Sequence, residues 1–160
     1  MLDGPPRLER RRSMDRRAAT APLDRDLFTS AVTQALRHLH DARRLHTSPL
    51  VNCSLVRAAV NRGDDPVMAI RRMLFESIDQ LSRGLGTADQ GRLLRRCYVA
   101  PRQSQVLLAD ALHMGVSTLR RHVQRATALL AAELWSREQR VLHQSIHASP
   151  VSRAARASSV

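Results

Sequence analysis

Apolar residues in this chain recur at helical spacing and nowhere alternate. No segment places β-branched residues at every second position, so no stretch has the one-sided face of a strand. Aromatics make up only 2% of the chain: Phe28, Phe75, Tyr98 and Trp135. A core must therefore be assembled from leucine, valine, alanine and methionine, which suits helices better than sheets. The expected fold class is all-α, with a helical N-terminal part followed by a helix-turn-helix unit.

The periodicity divides the chain. Residues 1–22 hold prolines, a glycine and an R-L-E-R-R-R run without a sustained apolar period, so a disordered basic tail is expected. Asp24 is a good N-cap type, and Phe28, Val32, Ala35, Leu36 and Leu39 form an amphipathic stripe behind it. Ser48-Pro49 resets the chain into a second helix carrying Leu50, Val51, Leu55, Val56 and Ala59. After the N-R-G-D-D-P turn at 61–66, Asp65-Pro66 opens a third helix. Its seam is Val67, Ile70, Leu74, Ile78 and Leu81, and it ends in S-R-G-L-G at 82–86. Residues 23–85 thus read as a helical N-terminal region.

Thr87 and Gln90 have capping-box spacing and start a fourth helix with an apolar face of Leu93, Leu94, Cys97 and Tyr98. Pro101 stops it. A fifth helix is expected from about Gln103 to Leu112, and a sixth from Val116 past Trp135 to about Leu142. Residues 86–142 form the expected helix-turn-helix domain, and 143–160 a flexible tail.

Charge narrows the partners. The net charge is +12, and every Lys+Arg position is arginine, which favours phosphate-rich partners. Cys53 and Cys97 belong to no C-x-x-C pair, so reduced thiols and a cytoplasmic location are expected. No apolar run approaches the roughly 18 residues of a spanning helix, and the N-terminus lacks the apolar segment of a secretory signal. No membrane partner is expected.

The stretch from Gln105 to Leu134 carries the functional signal. If Ala109 is the small residue at a helix crossing, the inward positions are Leu108, Leu112, Met114, Leu119 and Val123, all apolar. Sliding the pattern by two residues places Asp110 and Arg121 inside, and two buried charges cost more than any packing gain. The first register leaves Val116, Ser117, Arg120, Arg121, Gln124 and Arg125 on one face. Arginine bridges guanine bidentately and glutamine pairs with adenine. Arg120 and Gln124 are therefore expected at base edges, and Arg121 and Arg125 at phosphates. Gln105 and Thr118, at or near helix N-termini, suit phosphate contacts supported by backbone N–H groups.

The segment from Leu112 to Val123, L-H-M-G-V-S-T-L-R-R-H-V, resembles the helix-turn-helix of the fourth region of bacterial sigma factors and of response-regulator output domains. It is also similar to sigma-region-four-like modules whose pattern runs leucine-glycine-leucine-proline-x-serine-threonine-tyrosine-arginine-arginine-histidine-leucine. In those modules a helix ending near a tyrosine and a proline precedes the unit, as Tyr98 and Pro101 do here. A tryptophan followed by charges closes the long helix, as Trp135 and Arg137-Glu138 do. The resemblance covers about residues 88–138. It implies a trihelical DNA-binding domain, with Thr118 at the helix start, Arg120, Arg121 and Gln124 on the groove face, and His122 at the rim of the core. Two departures stand out. His113 occupies the usual glycine of the turn, and Gly115 a position usually held by a capping residue or proline. Histidine tolerates positive φ less well than glycine, so a reshaped turn is expected.

Other chemistry finds little support. G-L-G-T at 84–87 lacks the spacing and the lysine of a phosphate-binding loop. His38 and His40 point to different helix faces. His143 and His147 share one, but no carboxylate or cysteine joins them, so no metal is expected. Asp64-Asp65 is a turn and a cap. With no catalytic constellation and no cofactor, the expectation is a non-enzyme. The leading expectation is sequence-specific DNA binding by a bacterial transcriptional regulator or sigma-like accessory factor, with helix 116–135 in the major groove. Expected partners are double-stranded DNA, RNA polymerase or another regulatory protein, and a second copy of the chain. The alternative is a helical protein-interaction module that keeps the helix-turn-helix shape without DNA binding. A third expectation is RNA binding through the arginine-rich tail.

Overall fold

The computed structural model describes residues 23–100 and 104–147, with the side chains of residues 146 and 147 excepted. The expected tails at 1–22 and beyond 147, the stop at Pro101 and the helix start at Gln103 lie outside the described residues. Among those described, every regular element is helical: α1 (Arg25–Arg37), α2 (Ala42–His46), α3 (Ser54–Val60), α4 (Pro66–Arg83), α5 (Ala88–Leu94), α6 (Gln105–Ala111) and α7 (Val116–His147). A 3-10 turn at Pro49–Asn52 precedes α3, and a π-helical turn at Arg95–Val99 extends α5. No helix among them is long and apolar enough to cross a membrane.

Local chemistry accounts for most boundaries. The Asp24 carboxylate accepts from the Leu27 N–H at 2.8 Å, and the Asp65 carboxylate from the Met68 N–H at 3.0 Å, with Pro66 just inside α4. Asp41 caps α2 the same way, a short helix that periodicity alone did not reveal. Thr87 does begin α5, but the expected capping box with Gln90 does not form. The Thr87 hydroxyl instead donates to the Leu81 carbonyl at 2.9 Å, closing the end of α4, and Gln90 Oε1 is left buried without a partner. Gly91 is buried where α5 crosses the end of α4. A Cβ there would stand 2.7 Å from the Ser82 Cα, which explains glycine inside a helix.

The α4 seam is buried as expected, through Val67, Ile70, Leu74, Ile78 and Leu81. It joins Phe28, Val32, Leu36 and Leu39 of the first helical segment, Leu45, Leu50 and Val56, and Leu94 of α5 in one large core. The middle of α7 completes it with Ala126, Leu130, Ala131 and Leu134. Trp135 packs on Phe28 with ring centroids 5.3 Å apart at a tilt of 59°. Thirty-two residues of α7, about 48 Å at helical rise, therefore run from this core out to α6. The helix reaches His147 rather than stopping at Leu142, and Val141 and Leu142 remain half-buried along it.

The expected second helix is broken at Cys53, whose backbone is extended. The cause lies on α7, 84 positions beyond Ser54. Buried Glu138 of α7 accepts from the Ser54 N–H at 2.6 Å and the Leu55 N–H at 3.0 Å, giving α3 an N-terminal cap that its own sequence lacks. Next to it on α7, Arg137 donates to the Ser77 hydroxyl of α4 at 2.8 Å.

Two outcomes are expected. Glu138→Ala should lower unfolding stability by about 2–4 kcal/mol and Glu138→Gln by roughly half of that, measured by urea denaturation, because the amide keeps one acceptor and loses the charge. Burial pushes the Cys53 thiol from its ordinary 9.0 up to about 12, and the Glu138 carboxylate adds to the shift. Below pH 9.0 the thiol is neutral folded or unfolded, and its contribution is whole; between there and about 12 only the unfolded chain ionises, so that contribution is lost. The melting temperature should accordingly fall more steeply above pH 9 in the native chain than in Cys53→Ala.

Candidate nucleic-acid interface

The register expected for α6 and α7 is the one the structure adopts. Leu108 is 4% exposed, Ala109 1% and Leu119 1%, and Leu112, Met114, Val116 and Val123 pack against them. Leu93 and Cys97 of the preceding helical segment close this smaller core. Ser104 caps α6, its hydroxyl accepting from the Leu107 N–H at 3.2 Å.

The turn between α6 and α7 is held by its backbone. The Met114 N–H donates to the Ala109 carbonyl at 3.0 Å, and the His113 N–H to the Asp110 carbonyl at 3.0 Å. This reciprocal pair is a Schellman closure, which requires a left-handed residue just past the helix end. His113 supplies it, with φ 53°. The expectation of a reshaped turn is thus corrected: histidine takes the glycine conformation and bears its strain. Gly115 then begins α7, its carbonyl accepting from the Leu119 N–H at 2.9 Å without any side-chain cap.

Burial of Leu119 orients the rest of α7. Ser117, Arg120, Arg121, Gln124 and Arg125 are exposed, and Thr118 is half-buried. Helical spacing puts Ser117, Arg120, Arg121 and Gln124 on one strip opposite Leu119, with Arg125 on its flank. Between Val116 and Ala132 this helix carries three arginines and no acidic residue. Gln105 is exposed at the start of α6, and its Oε1 accepts from Arg120 Nε at 3.1 Å. That bond steadies the Arg120 guanidinium while its two terminal nitrogens keep no protein partner among the described residues. His122, expected at the rim of the core, is exposed instead.

Beside the strip lies a cleft of about 920 Å³ between α5, the π-helical turn, the α6–α7 turn and α7. Arg92, Arg95, Arg96, His122 and Arg125 contribute to its walls, and Leu93, Leu112 and Met114 to its apolar lining. Sequence reasoning passed over Arg92, Arg95 and Arg96, although their i, i+3, i+4 spacing marks one helix face. Arg92 pairs with Asp89 and Arg95 with Asp79, each at 2.7 Å and largely exposed. Pairs so exposed add little stability.

No family model matches the chain, and no curated protein or solved structure is significantly similar to it.

Replacing His113 by glycine removes a left-handed side-chain penalty of about 1–2 kcal/mol and adds a backbone entropy cost of somewhat less. His113→Gly should therefore raise stability by about 0.5–1 kcal/mol in chemical denaturation with unchanged helical content. A loss of stability would show that the imidazole makes a compensating contact.

Proposed function

We propose that this protein binds duplex DNA through a helix-turn-helix formed by α6 and α7, and acts as a transcriptional regulator. The single observation behind this reading is the outward strip of Ser117, Arg120, Arg121 and Gln124 on a helix whose opposite side, at Leu119, is sealed into a core. An α-helix fits the major groove, and arginine and glutamine are the side chains that read guanine and adenine there. Arg120 and Gln124 take base edges; Arg121 and Arg125 take phosphates. Ser117, Thr118 and Gln105 lie near the helix starts, where backbone N–H groups meet the phosphate chain. The net charge of +12 adds sequence-independent attraction.

One observation favours the second reading, a helical interaction module without DNA binding. Val106 and Leu107 of α6 are 57% and 62% exposed, apolar side chains that a protein partner would cover.

Electrophoretic shift and fluorescence anisotropy on random and selected duplexes separate the two. Binding should weaken with salt, and Arg121→Ala with Arg125→Ala should flatten the log–log salt slope by about 2. Arg120→Ala and Gln124→Ala should each cost about 1–3 kcal/mol on the selected duplex and relax its sequence preference. Salt-independent binding, or full affinity in the Arg120 and Gln124 variants, would overturn the DNA reading.

A further inference from the structure

The cleft beside α7 has a composition that groove reading does not explain. We propose that it is a binding site for a small amphipathic organic anion, a molecule with an apolar body and a carboxylate, phosphate or sulfonate head. Its size lies within the range of small-molecule sites. Among the described residues, four guanidiniums and an imidazole line it against a single carboxylate, that of Asp89, which is already paired to Arg92. Arg96 reaches it from the π-helical turn and Arg125 from α7. Neither makes an ion pair or side-chain hydrogen bond among the described residues, so both remain available to an anionic head.

Leu93, Leu112 and Met114 give the same cleft an apolar surface. Phosphate-backbone binding has no use for such a surface, whereas an alkyl or aryl body does. The π-helical turn is a further mark, since such turns recur at functional sites more than elsewhere in helices. The proposal does not depend on DNA binding, although Arg125 belongs to both surfaces.

The test uses the full chain without DNA and the fluorescent probe 1-anilinonaphthalene-8-sulfonate, itself an apolar body with an anionic head. One saturable site per chain is expected. Arg96→Gln and Arg125→Gln, separately, should each weaken it by about tenfold, while Arg120→Ala with Arg121→Ala should leave it unchanged. Octyl phosphate should displace the dye at concentrations where inorganic phosphate does not, because the head alone gains no apolar contact. Binding without saturation, binding indifferent to Arg96 and Arg125, or equal displacement by inorganic phosphate would overturn the proposal. Far-ultraviolet circular dichroism of each variant confirms that the helices persist, so a weakened site is not read from an unfolded chain.

Discussion

The carboxylate of Glu138 is the tie on which the arrangement depends. It is buried in the second half of α7 yet serves the N-terminus of α3, and that one group fixes two elements far apart in the chain. A charge taken out of water is retained only where hydrogen bonds replace its hydration, and the Ser54 and Leu55 N–H groups do so here. In return they gain a cap that no local side chain offers, since Cys53 cannot supply one. With α7 held in this way, Leu130, Ala131 and Leu134 face the large core and Trp135 meets Phe28. The direction of its first half follows, and with it the direction of the arginine strip.

Much of this was legible in the sequence because it is local. Asp24 and Asp65-Pro66 announce helix starts through their own chemistry, and the α4 seam is a pure 3.6-residue period. The inward register of Leu108, Ala109 and Leu119 was also legible, since the two-residue slide buried Asp110 and Arg121. What was not legible depends on distant partners. The break at Cys53 is made by Glu138, and nothing near Leu50 predicts it. The capping box at Thr87 does not form: its hydroxyl donates to the Leu81 carbonyl at the end of α4 and accepts nothing from the α5 backbone. On the candidate face, Ser117, Arg120, Arg121, Gln124 and Arg125 are exposed as read, but Val116 packs on the small core and Thr118 is half-buried; the cleft was not read at all, because its walls come from three helical segments and a turn that only folding brings together.

His113 shows how a turn can survive an unfavourable residue. The Schellman bonds fix the backbone, the small core around Leu119 fixes both helices, and the side chain must accept the left-handed conformation left to it. Histidine is among the side chains that enter this region more readily than β-branched ones. The strain is confined to one exposed residue and does not displace the helices. Departure from the glycine usual in such turns is therefore weak ground for doubting the geometry that follows.

The α7 helix divides into two chemical halves without a break between them. Residues up to Ala132 are cationic and acid-free on their outer side, while Ala126, Leu130, Ala131 and Leu134 on the opposite side lock into the core; Glu133 and Glu138 lie beyond Ala132. No glycine or proline interrupts the helix from Val116 to His147, so neither of the usual kink sites is available. The strip and the core contacts thus lie on one continuous helix. Under the proposed function, the front helices need not touch DNA to matter: any partner gripping them sets the angle at which Arg120 and Gln124 approach a groove. Arg125, at the junction of strip and cleft, is the position where an anionic ligand and a phosphate would compete for the same guanidinium.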